Sequence, residues 1–170
     1  MDNAKNNYTL RRANEDDIPV IRELAWKIFP ATYRSIITEE QIEYMMEWMY
    51  SEDSLKRQMT EGHIFLLCLS EGQPIGYASV ERQAPDLFHL QKLYVLPDRQ
   101  GAGAGRFLFR SVVDLIQSLH PTPCKLELNV NRYNSALGFY RRMGMHIDRQ
   151  GDFDIGHGYY MNDYIMRNEE

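Results

Sequence analysis

The chain has 170 residues, of which 44% are hydrophobic, and its net charge at pH 7 is -5. This length can bury one sizeable core, so we expect a single domain over residues 1–170. The negative charge repels polyanions and no long run of Lys and Arg offsets it, so nucleic acid is not expected as a partner. No apolar run approaches the ~18 residues of a membrane span and the N-terminus is polar, which favours a soluble, cytoplasmic protein without a membrane partner.

The two cysteines stand apart in the sequence. Cys68 and Cys124 lie in apolar stretches without a CxxC pair or a nearby His cluster. This pattern indicates buried thiols rather than a disulfide framework or a metal site. We therefore expect chemistry that uses no metal.

The first third of the chain predicts one strand followed by three helices. A short strand is predicted for 8–13, and the acidic run at 14–17 is typical of a helix start. Thr38 with Gln41 three residues later forms a capping-box pattern, which predicts a second helix with an apolar stripe. A third, short helix is predicted to end at Thr60.

From residue 62 onward the apolar pattern changes to that of strands. Strands are predicted for 64–69, 75–80, 87–96, 125–130, 145–150 and 159–166, with helices at 106–119 and 135–143. The polar run at 71–74 is a hairpin signal between the first two strands. This order of elements predicts an α/β protein with a mixed sheet covered by helices.

A glycine-rich turn lies between the strand that ends near residue 96 and the next helix. Gly101, Gly103 and Gly105 occupy alternate positions, where glycine lets the backbone approach a ligand closely. The unpaired N–H groups at the helix start form an anion site suited to a pyrophosphate, and Arg106 adds a cation. The spacing matches neither GxGxxG nor GxxxxGK[ST], which disfavours a Rossmann or nucleoside-triphosphate site. A glycine turn without a ligand remains the alternative when this segment is taken alone.

Two segments together resemble the GNAT acetyltransferase superfamily. Residues 100–105 resemble its Q/R-x-x-G-x-G/A coenzyme A signature, and they follow a Leu-Tyr-Val-x-Pro strand end. Residues 134–145 resemble its N-x-x-A-x-x-F-Y-x-x-x-G-F element, with Met145 where Phe is usual. By this resemblance, residues 62–166 form the sheet and the core that binds acetyl-coenzyme A. Residues 8–61 look like the strand and helices on the acceptor side, which vary in this superfamily.

The resemblance implies the GNAT acyl-CoA N-acyltransferase fold, with splayed central strands and helices on both faces of the sheet. It also implies an N-acetyltransferase that takes its acetyl group from acetyl-coenzyme A. The implied donor-binding residues are Leu93, Tyr94, Val95, Gln100, Gly101, Ala102, Gly103, Ala104, Gly105, Arg106, Asn134 and Tyr140. Homodimers are common in the superfamily, so a homodimer is an expectation by analogy.

Acetyl transfer to an amine needs a base that removes a proton from the alkylammonium group, whose pKa is about 10. It also needs a group that protonates or stabilises the sulfur of coenzyme A as it leaves. Tyr140 matches the Tyr of the family's F-Y pair, so the resemblance makes it the general acid at sulfur. Its alternative role is that of a core aromatic beside Phe139.

Two residues are candidates for the general base. Strand alternation predicts that His89 shares a face with Leu93, and an imidazole titrates in a useful pH range. Glu81, at the end of the preceding strand, is the other candidate, acting directly or through a water chain. For both residues the alternative is an ordinary polar surface side chain.

Aromatic residues and carboxylates interleave in the early helices and the closing strands. The carboxylates are Glu39, Glu40, Glu43, Glu47, Asp152, Asp154 and Asp163. A pocket of this composition suits a small-molecule amine acceptor that is cationic, and the pattern is similar to bacterial polyamine acetyltransferases. The alternatives are a solvated acidic helix face, a non-catalytic acetyl-coenzyme A-binding module, and an acetyltransferase acting on protein N-termini or lysines.

Overall fold

The computed structural model describes residues 7–168, which form one seven-stranded mixed sheet with helices on both faces. The strands are β1 (Tyr8–Arg12), β2 (Ile64–Ser70), β3 (Gln73–Ala84), β4 (Leu87–Val95), β5 (Lys125–Asn131), β6 (His146–Gly156) and β7 (Tyr159–Arg167). The helices are α1 (Ile18–Tyr33), α2 (Glu39–Tyr50), α3 (Glu52–Thr60), α4 (Ala104–Leu119) and α5 (Ala136–Arg142). The strand order is β1-β2-β3-β4-β5-β7-β6, and only the pair β4–β5 is parallel. The predicted α/β fold class is confirmed.

Capping side chains set where the early helices begin. The Asn14 side chain accepts a hydrogen bond from Asp16 N, and the Asn14 N–H donates to the carboxylate of Asp17. The Thr38 hydroxyl oxygen accepts a hydrogen bond from Gln41 N, as the sequence predicts. The Gln41 side chain does not complete the capping box, because its amide instead donates to a main-chain oxygen of β7. The Gln41 side chain therefore joins α2 to β7.

Each face of the sheet carries its own apolar core. On the first face, which we call the α1 face, helices α1–α3 pack around Phe29, Tyr50 and Tyr77. On the second, the α4 face, helices α4 and α5 pack around Leu108 and Met166. Both cores meet the central strands β3 and β4, so any site at these strands lies between two rigid layers. Within residues 7–168, no helix has the length and apolar character needed to cross a bilayer.

Strand β4 contains a β-bulge at Gln91. Its pairing with β3 passes from Leu90 to Lys92 and leaves Gln91 as the extra residue. Leu90 packs in the core of the α4 face, whereas Lys92 lies on the α1 face over two aromatic rings. The predicted alternation was therefore wrong: His89, before the bulge, does not share a face with Leu93, after it.

The central strands β4 and β5 pair only along their first four residues. The pairing ends at Leu90 and Leu128, after which β4 stays with β3 and β5 stays with β7. From Gln91 onward, the edge of β4 that faces β5 has no strand beside it among the described residues. The bulge and the separation of the strands thus begin at the same point. This is the splayed arrangement that the sequence resemblance implies.

Lys92 is a buried cation just beyond the bulge. It is 7% exposed, and its Nζ donates a hydrogen bond of 2.8 Å to Oε1 of Gln58 on α3. The Nζ atom also lies 5.6 and 5.5 Å from the ring centroids of Tyr50 and Phe65. Burial lowers the pKa of Lys92 to about 8, although the charge of Glu81 opposes the change. Lys92 therefore links β4 to the early helices while it destabilises the fold as a cation.

Replacing Lys92 by Met is expected to remove a pH dependence of stability. The ordinary pKa of lysine is 10.5, so between pH 8 and 10.5 the unfolded chain binds the proton more readily than the folded chain. The free energy of unfolding of the wild type should therefore rise across this window, by roughly 3 kcal/mol, relative to that of Lys92→Met. Urea denaturation at a series of pH values measures this difference.

The exposed Lys56, whose Nζ lies 3.9 Å from Glu52, provides the matched control. Lys56→Met should follow the wild-type curve. Parallel curves for Lys92→Met and the wild type would show that burial does not lower the pKa of Lys92.

Candidate active site

A cavity of about 910 Å³ opens where β4 and β5 separate. It extends from the glycine turn before α4, along the free part of β4, to the end of α1. Its walls come from α1, β4, α4, β5, α5 and the segment that leads into α5. The split in the sheet therefore connects the two faces through one continuous space.

All of the predicted donor-binding residues except Ala102 and Ala104 line this cavity. The main-chain oxygen of Ala102 accepts a hydrogen bond of 2.7 Å from the Tyr8 hydroxyl, outside the cavity. The Ala104 side chain is buried in the core of the α4 face. Along the turn, the glycines border the cavity and the two alanines do not.

The turn leaves the first main-chain donors of α4 without a partner in the helix. Gly101 and Gly103 have φ values of +85° and +96°, which side-chain-bearing residues rarely adopt. The first main-chain bond of α4 runs from Phe107 N to the oxygen of Gly103, so the N–H groups of 104–106 have no acceptor within the helix. Together with the helix dipole, these groups make the start of α4 suited to an anion.

Positive side chains add to this field. Three arginines of α4 and α5 line the cavity: Arg106, Arg110 and Arg142. Guanidinium groups suit phosphate oxygens, because they present several N–H donors in a fixed plane. Gln100, which was also predicted to face the donor, lines the cavity while its amide donates to the main-chain oxygen of Val95 at 3.1 Å.

Hydroxyl and amide groups bridge the split on the α1 face. The Tyr33 and Tyr94 hydroxyls are 3.2 Å apart, which joins α1 to β4. The Asn134 amide donates to the Tyr33 hydroxyl at 3.4 Å, and its oxygen accepts from the N–H of Ala136 at 2.9 Å. Asn134 therefore connects the start of α5 to α1 across the gap between β4 and β5.

Tyr140 is both a core residue and a cavity residue. Its ring packs against Phe109 and Phe139, and the side chain lines the cavity. Burial raises the pKa of Tyr140 far above that of a free tyrosine. The phenol is therefore neutral and protonated at any working pH.

The two predicted bases do not line the cavity. The Glu81 carboxylate accepts a hydrogen bond of 2.8 Å from the Gln91 amide and lies 3.4 Å from Nε2 of His63. Gln91 does line the cavity, so Glu81 is connected to it through the bulge residue. His89 lies opposite Glu81 in the paired part of the sheet, and burial lowers its pKa.

The interleaved carboxylates of the early helices and closing strands differ in their surroundings. All of the interleaved carboxylates except Asp163 are exposed, and none of them is part of the cavity lining. Asp163 is buried on β7, beside the end of β5. Its burial follows from the pairing of β5 with β7, which no local pattern reveals.

The buried thiol of Cys68 is not a candidate nucleophile. Burial raises its pKa to about 11, so the thiolate is scarce at neutral pH. Among residues 7–168, no group of three or more His, Cys, Asp or Glu side chains is arranged to hold a metal ion.

Comparison with known proteins places the chain in a family. The family model described as "Acetyltransferase (GNAT) domain" matches residues 34–152. An uncharacterized N-acetyltransferase of Mycobacterium bovis is 27% identical over 155 residues, which is 90% of this chain and 97% of that protein. The peptidyl-lysine N-acetyltransferase YjaB of Escherichia coli is 29% identical over 104 residues, which is 61% of this chain and 63% of YjaB.

Solved structures share the fold. The PaiA N-acetyltransferase of Thermoplasma acidophilum, solved in complex with coenzyme A, has a TM-score of 0.82 at 22% identity, over 96% of this chain and 99% of that one. The ribosomal-protein-S18-alanine N-acetyltransferase of Escherichia coli has a TM-score of 0.71 at 17% identity, over 95% of this chain and 93% of that one. Because the family model spans well over half of the sequence, including the glycine turn, this chain is a member of the GNAT acetyltransferase family.

Proposed function

We propose that this acetyltransferase transfers the acetyl group of acetyl-coenzyme A directly to an amine of a small cationic molecule, for example a polyamine. The observation that carries the proposal is the cavity at the split of the sheet, which has arginines and the glycine turn along one part and the end of α1 along the other. Both substrates can occupy such a cavity together. Holding them together supplies much of the rate without a covalent enzyme intermediate.

The donor fits the part of the cavity beside α4. The amides of 104–106 and the arginine side chains suit a pyrophosphate, and the unpaired edge of β4 offers main-chain groups to an extended amide-containing chain. Coenzyme A carries both chemical features. The structural relative from Thermoplasma acidophilum was solved with this molecule, which supports the assignment.

Tyr140, for which the resemblance implies the role of general acid, is proposed to stabilise the leaving sulfur by donating a hydrogen bond to it. A thiol has a pKa of about 8.5, well below that of the buried phenol, so Tyr140 remains the hydrogen-bond donor as thiolate charge develops. Its fixed place between Phe109 and Phe139 limits the reorganisation that donation requires.

Glu81 is the better connected of the two proposed bases. Gln91 lines the cavity and donates a hydrogen bond to Glu81, so a single side-chain amide connects that carboxylate to the cavity. Among the residues that the structure describes, none links His89 to the cavity in this way, although its lowered pKa keeps the imidazole neutral and able to accept a proton.

The second candidate function is acetylation of lysine side chains in proteins. The relative YjaB is named as a peptidyl-lysine N-acetyltransferase, and Tyr133 at the cavity wall is 73% exposed, where it could contact a peptide. A panel of diamines, polyamines, monoamines and lysine peptides, assayed for thiol release, separates the candidates. The proposal predicts turnover with small amines, whereas turnover with lysine peptides alone favours the second candidate. If no acceptor is turned over, both candidate functions fail and the protein is a non-catalytic module that binds the donor.

Gly103→Ala is expected to weaken coenzyme A binding. An alanine at φ +96° is strained by roughly 1–2 kcal/mol, and relief of that strain turns the amides at the start of α4 away from the cavity. We expect the dissociation constant to rise about tenfold or more, as measured by calorimetry.

Gly62→Ala is the matched control, because Gly62 has φ +106° and open space around its Cα but lies outside the cavity. Both variants should lose similar thermal stability, and only Gly103→Ala should lose affinity. Equal affinity in the two variants would mean that the turn does not hold the donor.

Tyr140→Phe is expected to lower kcat by roughly 100-fold, because the donor to the leaving sulfur is lost. Affinity for coenzyme A should stay nearly constant, since the ring and its packing remain. Steady-state kinetics with the best amine and calorimetry with coenzyme A measure the two effects.

Tyr164→Phe serves as the control, because Tyr164 packs against the same core and does not line the cavity. An unchanged kcat in Tyr140→Phe would assign that residue to packing alone.

A further inference from the structure

The glycine turn before α4 has few contacts that fix its conformation. Residues 101–103 are exposed, and Gly101 and Gly103 both have a positive φ. Among residues 7–168, the Tyr8 hydroxyl is the one side-chain group that hydrogen-bonds to this segment, at 2.7 Å from the main-chain oxygen of Ala102. An exposed, glycine-rich segment has many conformations open to it, so a single anchor can shift which of them is populated.

Tyr8 is itself held in place by the fold. It is the first residue of β1 and pairs with Ser70 of β2. Its ring packs against that of Phe107 on α4, with 5.6 Å between the ring centroids. A Cβ at Gly103 would lie 4.0 Å from Cε2 of Tyr8, so the ring also lies beside the turn. The edge strand of the sheet thus presents a fixed hydroxyl to a turn that is distant in the chain.

The bond from Tyr8 sets the orientation of the peptide group between Ala102 and Gly103. This peptide is trans, so its C=O and N–H groups point in opposite directions. The oxygen points toward Tyr8, outside the cavity, and the N–H of Gly103 therefore points away from Tyr8. Gly103 borders the cavity, and its N–H donates to no group within residues 7–168.

The N–H of Gly103 directly precedes the free N–H groups of 104–106 at the start of α4. Successive main-chain N–H groups in a turn form a concave site for an anion, and the helix dipole favours negative charge at the same place. Rotation of the peptide between Ala102 and Gly103 would replace the first of these donors with a carbonyl oxygen, which repels a phosphate. The orientation of this one peptide therefore matters for anion binding.

We infer that Tyr8 is a positioning residue for the donor: its hydroxyl holds the Ala102–Gly103 peptide with its N–H available to the pyrophosphate of coenzyme A. The inference rests on the proposed function, in which the turn and the start of α4 hold that pyrophosphate. Tyr8 acts through the turn and does not touch the donor. Its effect is on the fraction of free protein whose turn is ready to bind, and apparent affinity falls in proportion to that fraction.

Tyr8→Phe removes the hydroxyl and keeps the ring that packs against Phe107. The dissociation constant for coenzyme A, measured by calorimetry, is expected to rise about 3- to 10-fold, as is KM for acetyl-coenzyme A. At saturating concentrations of both substrates, kcat should stay within about twofold of the wild type, and so should KM for the amine. A loss confined to donor affinity is what a role in positioning the turn requires.

Tyr44→Phe is the matched control. The Tyr44 hydroxyl, on α2, donates to the main-chain oxygen of Ile155 on β6, and Tyr44 does not line the cavity. This variant therefore loses a bond of the same kind between distant elements. Both variants should melt at similar temperatures, and only Tyr8→Phe should lose affinity for coenzyme A.

A double variant tests whether Tyr8 acts through the turn. Since alanine at 103 already displaces the turn, Tyr8→Phe should weaken binding little further when it is added to Gly103→Ala. Losses that multiply in the double variant would show that Tyr8 affects binding by another route, and would overturn the inference.

The remaining outcomes separate this inference from the proposed function. If the wild type binds coenzyme A and Tyr8→Phe binds it equally well, the role of Tyr8 is overturned and the donor site stands. A Tyr8→Phe protein that melts far below Tyr44→Phe, or that does not fold, shows a purely structural residue and also overturns the role. A folded wild type that binds no coenzyme A removes the donor site of the proposed function, and the role of Tyr8 with it.

Discussion

The separation of β4 from β5 after Leu90 and Leu128 creates the opening around which the candidate active site is built. Neighbouring parallel strands normally form main-chain hydrogen bonds along the whole of their shared edge. Here the bulge at Gln91 turns β4 just where its pairing with β5 ends, so the remaining edge stays open. The cores on both faces hold the two halves of the sheet apart, which makes the opening a fixed feature of the fold.

The groups around the opening are sorted by charge and polarity. Positive and N–H groups reach it from α4 and α5, as expected for a phosphate-bearing donor. On the α1 face, hydroxyl and amide groups of Tyr33, Tyr94 and Asn134 bridge the gap. The cationic side chains and the hydroxyl and amide groups therefore meet at the split, where Tyr140 is held by its aromatic neighbours.

The sequence predicted those features that depend on neighbouring residues. The order of strands and helices and the glycine turn follow from local periodicity and from backbone conformations that favour glycine. Strand β6 extends six residues beyond the predicted end at 150. The prediction ended too early because polar residues alternate along this exposed edge of the hairpin with β7. The bulge at Gln91 carries no local signal, so the sequence placed His89 on the wrong face. Likewise Lys92 and Asp163 become buried only through contacts with elements distant in the chain.

If the open edge of β4 and the turn at 101–105 hold the donor through main-chain groups, titrating the isotope-labelled protein with coenzyme A should change the amide chemical shifts of these segments. Large changes are expected for Gly101, Gly103 and Gly105 and for Leu93 and Val95, with small changes in the paired halves of β4 and β5. Binding that leaves the first group of amides unmoved, or no binding to a folded sample, would show that these main-chain groups do not hold the donor.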